Sequence, residues 1–549
     1  MIPVKYINLR LLLTIFFLIL VFGCDTGNPI HTNEDYYRDL ILAPSDILLE
    51  SEPSIRSGKL SLASPIYVED MDVHMNNSPI LAAYGPGLAY SRLLRFRSGS
   101  EILMPTMATE CDLCDRWSQL DSTTYEFHIR DDAYWHDIEP VSGRQVNSED
   151  IIQSFKRQLG SKNTNAEMLK DIKTMEAIDE DVVRITVHSP NSDFLSNLAQ
   201  GVSKIVPIET NALGATGFDY IIGSGPWIWQ ASKNMQGYYF EANPIYYEEG
   251  IPYSDNLEIQ IIPDPQTRLT AFLLGKIDIL ELERDPTSYS ILQENNIKTA
   301  QQLDFTSGLV MSLNTLVEPL DRLGVRREII RSLDPWSDIA GIWENRGFVS
   351  LGIPVMDKSW IMPRSKLETY FRSGDTIPGE GIDLGGDAIN IKISVAEYSS
   401  KHIEYGNRVA QSIGELGLRP TVELLDINEY ARQIWKSGHY QIFIGPSMPL
   451  SSTNSYLSSV FHSRGKHNLH NYRDEYLDVM IDRQVSELDF TSRKKILMDL
   501  QEYIISKAFW IMPVGDVASW AIQDNVRNFH PNTFGLEYFY FAETWIDGT

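Results

Sequence analysis

Three histidines stand close together in FHSRGKHNLHN, with His462, His467 and His470 separated by four and then two residues. Three imidazoles could gather a metal, but this stretch is polar, holds a glycine and reads as a loop in which histidines are solvated, so no metal site is expected. Cys111 and Cys114 face each other across two residues in ECDLCD. A metal site would need further ligands, a redox site would need a thioredoxin-like context, and the flanking Asp112 and Asp115 disfavour a reactive thiolate. The chain carries 74 carboxylates, so acid pairs that resemble a glycosidase dyad arise by abundance alone. HExxH, GxxxxGK[ST], GxSxG and a doubled CxxC are all missing. A surface-anchored hydrolase of peptides or glycans is the alternative reading, and no nucleophile or metal constellation supports it. No enzyme activity and no cofactor are expected.

Binding is the better reading of what remains. From Ile222 to Leu280 the chain packs a Gly223-Ser224-Gly225-Pro226-Trp227 turn, an Asn243-Pro244 aromatic turn, a strand, an amphipathic helix and a second strand. Gly223 and Gly225 have no Cβ, so backbone amides there can approach a neighbour closely, and Pro226 fixes the exit direction.

The elements around this stretch alternate between strand and helix, which argues an α/β organisation. Lys59 to Ala63 reads as a first strand. Leu81 to Arg97 suits a helix entered after Gly85-Pro86, with Leu88, Leu93 and Leu94 inward. In TTYEFHIR, Tyr125, Phe127 and Ile129 alternate with polar residues as a half-buried strand requires. Asn147 or Ser148 is a natural N-cap for IIQSFKRQL, and Val182 to His188 is a further strand.

Length and charge bound the rest. A chain of 549 residues needs two or three domains. The formal charge is −27, a surface that repels nucleic acid and anionic headgroups, so no nucleic-acid partner is expected. Lys5 and Arg10 precede a twelve-residue run from Leu11 to Phe22 broken only by Thr14. That is short for a bilayer span, which takes roughly 20 residues, and right for a signal-peptide core. The run ends at Val21-Phe22-Gly23-Cys24, which resembles a bacterial lipobox with Cys24 as the acylated residue. Asp25 follows, as in lipoproteins retained at the inner membrane. Residues 25–57, polar and acidic with three prolines, read as a tether, with a short helix near Tyr36 to Leu42. In an exported chain the default state of Cys111 and Cys114 is a local disulfide.

The order of these pieces resembles the family 5 extracellular solute-binding proteins, the peptide- and nickel-type receptors of ABC importers. YEFHIRDDAYWHD…PVSGRQVNSEDIIQSFKR stands where that family has F-x-L-R…W-H-D-G…T-A-E-D-V. Gly223 to Trp227, Asn243 to Tyr247 and Ala271 to Ile279 match its G-T-G-P-Y, N-P-x-Y-W and A-x-x-x-G-x-I-D-I. Met311 to Asp334, Gly414 to Leu418, His439-Tyr440 and LDFTSRKKILMDLQEYIISKAFWIMPV continue the match.

The resemblance implies a two-lobed type II periplasmic-binding-protein fold with an extra subdomain in the first lobe. Residues 58–305 plus 515–549 would form lobe I, with the subdomain at about 80–205, and residues 306–514 would form lobe II, after the signal peptide (1–24) and the tether (25–57). It implies a monomer on the extracytoplasmic face of the inner membrane. Such a receptor closes on a small solute, first of all an oligopeptide, and delivers it to an ABC permease, while its acylated Cys24 sits in the lipid. Trp135, Ser224, Asn314 and Ser447 are expected to line the cleft, with Trp227 as a wall and Gly223 to Trp227 beside it. The cargo is left open. Peptide receptors of the family carry an aspartate for the peptide's α-ammonium in a W-x-x-D-Y-x-D-P-like loop, and the equivalent Gly445 to Ser452 has no acid and no tryptophan. Glycans, opines and metal chelates are also taken by relatives.

Overall fold

The computed structural model describes residues 56–548 apart from 101, 103–104, 163, 213–219, 231–235, 283–290, 293, 356, 372–388 and 449–451. Cys24, most of the 25–57 tether and the short helix expected near Tyr36 lie outside the described residues. No helix among the described residues is long and apolar enough to cross a membrane.

Three sheets organise the fold, which is two-lobed and α/β. In the first, β1 (Lys59–Ser64) runs parallel to β10 (Asn256–Ile261), and β9 (Gly237–Ala242) and β8 (Trp227–Gln230) follow antiparallel. Its buried face carries Leu60, Leu62, Trp227, Tyr238, Phe240, Leu257 and Ile259. The end of the chain folds back onto that face with Phe529, Tyr540, Phe541 and Ile546.

The second sheet is small and antiparallel, with strand order β4 (Cys114–Asp121), β5 (Thr124–Ile129), β7 (Val182–Val187) and β6 (Ile172–Asp179). The alternation in β5 places Tyr125, Phe127 and Ile129 in the core. Helix α2 (Ser148–Leu159) packs beside it, opened by a capping box in which Asn147 and Asp150 satisfy each other's backbone amides.

The third sheet is built around two long strands, β12 (Lys298–Leu313) and β17 (Trp510–Ile522), paired antiparallel. Lys298–Asp304 faces Asp516–Ile522 and Gly308–Ser312 faces Trp510–Gly515, with a register shift between Asp304 and Gly308. β11 (Ile279–Glu281) and β13 (Phe348–Ser350) pair with β17. On the other side come β16 (Ile442–Pro446), β14 (Asn390–Ala396) and β15 (Arg419–Leu425), the last three parallel to one another.

The expected helix over Leu81 to Arg97 does not form. In its place stand α1 (Pro79–Ala83), a 3-10 turn (Pro86–Ala89) and β2 (Leu94–Phe96), which pairs with β3 (Thr109–Cys111). The Gly85-Pro86-Gly87 run breaks the helix, because Pro86 has no amide to donate. A Cβ on Gly87 would lie 2.4 Å from the Ala82 carbonyl oxygen, so the chain turns tightly there. Leu88, Leu93 and Leu94 are still buried, on a different scaffold. Cys111 and Cys114 are joined by a disulfide that links the end of β3 to the start of β4.

Candidate functional site

A cleft of about 720 Å³ opens among the described residues. Its position follows from topology, since parallel strands with connecting helices leave a crevice at their carboxyl ends. On one side β1 ends at Ser64, and Ala63, Ser64 and Pro65 line the cleft. Tyr84, just past α1, and Leu280, Glu281 and Leu282 at the end of β11 complete that wall, with Tyr538. Facing them, β14 ends at Ala396 and leads into α6 (Ser400–Glu415), whose first turn lines the cleft with Ser400, Lys401 and His402. Tyr398 and Trp343 flank that turn, and Asp516 comes from the middle of β17.

Local sequence holds each wall in place. Gly406 lets α6 lie close on β14, since a Cβ there would fall 2.6 Å from Val395. Ser399 caps the helix by accepting from the His402 amide. His402, Tyr405, Val409 and Ile413 are buried at helical spacing. Opposite, the Tyr84 hydroxyl donates to Glu281 Oε2 at 2.8 Å, and its ring packs on Tyr538 and Phe541 at 4.6 and 5.9 Å. Burial first, and then the Glu281 carboxylate, raise the Tyr84 phenol well above its ordinary value, so it stays a donor. Ser307 Oγ donates to Asp516 Oδ2 at 2.6 Å. The cleft therefore offers aromatic faces, two carboxylates on one side and the middle strand, and Lys401 and His402 across from them.

Trp135, Ser224, Trp227, Asn314 and Ser447, the residues expected at the cleft, are placed elsewhere. Trp135 is fully buried beside the small sheet and donates its indole N–H to Asp150 Oδ2 at 3.2 Å. Asn314 is buried in backbone duty, donating to the Tyr440 carbonyl and accepting from the Leu316 amide. Ser447 continues β16, its amide donating to the Gly308 carbonyl at 2.8 Å. Trp227 sits in the core of the first sheet and borders a separate void of about 30 Å³ shared with Arg92, Asp112, Lys204 and Glu537.

Ser224 is fully buried, and its hydroxyl has no hydrogen-bond partner among the described residues. The bare backbone around it serves packing. A Cβ on Gly223 would sit 1.7 Å from the Ala89 carbonyl oxygen. The Gly225 amide donates to that same oxygen, while Asn243 Nδ2 and the His136 ring hold the Gly225 carbonyl. The two glycine and asparagine motifs thus lock one another, and the turn cradles the Leu88–Tyr90 backbone.

The three clustered histidines also go into structure. His462 lies 3.6 Å from both Asp478 and Asp482. His467 Nδ1 meets Ser459 Oγ at 2.7 Å. His470 stacks on Phe509 at 4.4 Å, where burial lowers its pKa to about 3.

With the fold and cleft in place, comparison with known proteins is decisive. Residues 88–361 match the bacterial extracellular solute-binding proteins, family 5. The chain belongs to this family. A heme-binding protein A from Haemophilus influenzae is 20% identical over 480 residues, covering 82% of this chain and 86% of that protein. A di/tripeptide-binding protein 3 from Pseudomonas aeruginosa is 21% identical, with 82% and 88% covered. The structure of HbpA2 from Haemophilus parasuis superposes with a TM-score of 0.72 at 18% identity, covering 89% of this chain and 99% of that one. This family 5 protein is thus an extracytoplasmic solute-binding protein of the ABC-transport type and not an enzyme.

Tyr84, Glu281, Trp343, Tyr398 and Tyr538 escaped the sequence reading. They come from segments up to several hundred residues apart, and none lies in a family motif. One usable signal was the YSSK run at 398–401, a helix cap directly after a buried strand, which marks a strand's carboxyl end.

Proposed function

We propose that this protein is a membrane-anchored receptor that captures a short peptide or peptide-like solute between two lobes and presents it to an ABC permease. The observation that carries this reading is the cleft of about 720 Å³ with aromatic and charged groups on both walls. That volume lies within the roughly 300–1,000 Å³ of ordinary small-molecule sites and suits a peptide of a few residues. The similarity to a di/tripeptide-binding protein over most of both chains supports the peptide class.

The proposed hinge lies where β12 and β17 change register, near Asp304–Gly308 and Gly515–Asp516. Residues 58–305 with 515–549 then move against 306–514, an opening that must part the buried Asp193–Arg493 pair, and the solute favours the closed form by binding it better. Cys24, acylated, holds the protein at the extracytoplasmic face of the inner membrane, and the receptor works as a monomer.

Native mass spectrometry of gently purified protein, followed by thermal-shift screening with peptides, sugars and nickel chelates, tests the cargo. A rise in melting temperature with peptides alone is expected, and stabilisation by sugars or chelates in their place would refute the peptide class. Cys24→Ser should release the protein from membranes, and continued detergent-dependent sedimentation would refute the anchor.

A further inference from the structure

Resting on the reading of two lobes that move, we infer that the loop Asn191–Asp193, just after the small antiparallel sheet, is a latch. It seats in a polar pocket of residues 306–514 and holds the lobes together from outside the solute cleft.

The loop belongs to the first lobe, and each of its residues bonds across the boundary. The Ser192 amide donates to the Val485 carbonyl at 2.8 Å, and Ser192 Oγ donates to the Gln484 carbonyl at 3.1 Å. Asp193 accepts from Arg493 Nη2 on one oxygen and from the Asn454 amide on the other, at 2.5 and 2.7 Å. Asn454 Nδ2 donates to Asn191 Oδ1 at 2.7 Å. Asn191, Asp193, Asn454, Gln484 and Arg493 are all buried, and none of them lines the cleft of about 720 Å³.

Each half carries bonds of its own. On the loop, Asn191 Oδ1 also accepts from the Asp193 amide at 2.9 Å, and Phe194 packs on Tyr125 of β5 at 4.9 Å. In the pocket, Asn454 Oδ1 accepts from Gln484 Nε2 at 2.9 Å and from Arg493 Nη2 at 3.0 Å. Arg493 also lies over the Trp360 ring at 5.5 Å. These contacts stay within one lobe, so they persist when the lobes part and leave both halves shaped to meet again.

The groups that bond across the boundary are polar. Interfaces between parts that move are more polar than permanent ones, because each group can take water in place of its partner. An interface of this kind holds without sealing. It favours the closed form before any solute arrives, and apparent affinity rises with the fraction of protein already competent to bind. Solute entry then waits on release of the loop. The small sheet thereby takes part in closure, although none of its strands lines the cleft.

The test uses mature protein freed of solute. Hydrogen exchange at the Ser192 amide reports the seam, since that bond does not involve the Asp193 side chain. Small-angle X-ray scattering reports lobe separation, and uptake of a library of di- to pentapeptides reports the cleft. Asp193→Asn is expected to speed exchange at Ser192 about tenfold, enlarge the radius of gyration, hasten peptide entry and weaken peptide binding about tenfold. All readouts are taken below the melting temperature of the variant, and a second variant stands beside it. Ser192→Cys with Val485→Cys puts two thiols where the backbones already meet, within reach of a disulfide. Its oxidised form should slow peptide entry about tenfold, the slowing expected when the open form is withheld, and dithiothreitol should restore the rate. Wild type in the same reductant controls for Cys111–Cys114. If the oxidised pair takes up peptide at the wild-type rate, or D193N leaves exchange and radius unchanged, the latch falls and the receptor stands, since peptides still bind. If the wild type binds no peptide, the peptide reading falls, and exchange and scattering, which need no solute, decide the latch alone.

Discussion

Arg493 Nη2 lies 2.5 Å from Asp193 Oδ1, with both side chains almost wholly withdrawn from solvent. Asp193 follows β7 of the small sheet, and Arg493 lies on a helix (Phe490–Ser506) that precedes β17. The other oxygen of Asp193 accepts from the Asn454 amide at 2.7 Å, and Arg493 also reaches the side chains of Asn454 and Gln484. The pair ties elements three hundred residues apart into one hydrogen-bonded knot.

Breaking one half of that knot leaves a buried charge uncompensated. Asp193→Asn should lower stability by about 3–5 kcal/mol, measured by urea denaturation. The double replacement Asp193→Leu with Arg493→Met should recover most of the loss. A single variant as stable as wild type would show the pair to be energetically idle.

The glycine turn gives a sharper contrast. Gly223→Ala places a methyl group on the Ala89 carbonyl oxygen and should cost about 3 kcal/mol or more. Ser224→Ala removes a buried hydroxyl with no partner among the described residues and should be neutral or stabilising by up to about 1 kcal/mol, with solute affinity unchanged. Loss of solute binding in Ser224→Ala at wild-type stability would return that residue to the site.

Lys204 makes stability depend on pH. Burial, and then the charge of Arg92, lower its pKa to about 7 in the folded protein from 10.5. Between those values the unfolded chain binds the extra proton, so this group's contribution to stability rises with pH through the window, by at most about 1.4 kcal/mol per pH unit. The stability difference between wild type and Lys204→Met should therefore grow in favour of wild type from about pH 7 toward pH 10, by denaturation at a series of pH values. A flat difference would mean that Lys204 keeps its proton when folded.

Removing the Cys111–Cys114 link opens a loop of sequence separation 3. Cys114→Ser should cost about 2 kcal/mol, the loop-entropy value for so short a closure, and reducing agent should lower the wild-type melting temperature to that of the variant.

Strands with a clean alternation of apolar and polar residues were legible. In β5, Tyr125, Phe127 and Ile129 alternate with polar residues, and the structure buries those three. Asn147, one of two natural caps in the sequence, opens α2 by accepting from the Glu149 and Asp150 amides. The helix read at Leu81 to Arg97 failed because apolar spacing reports burial and is blind to the backbone contact that Gly87 makes with Ala82. The site was least legible of all. Motifs such as Gly223–Trp227 mark where backbone packs on backbone, and those demands are met by local sequence. The cleft is set by which strand ends meet, and Glu281 and Lys401 become neighbours of one space only after the whole topology is in place.

The return of the chain's end onto its beginning has a consequence for biogenesis. Leu60 and Leu62 are buried against a core that also needs Trp520, Phe529 and Tyr540, so the first sheet has no complete interior until the final tens of residues have emerged. Contacts of such long sequence separation form slowly. In a nascent chain of this design the first sheet stays incomplete until those residues have been made.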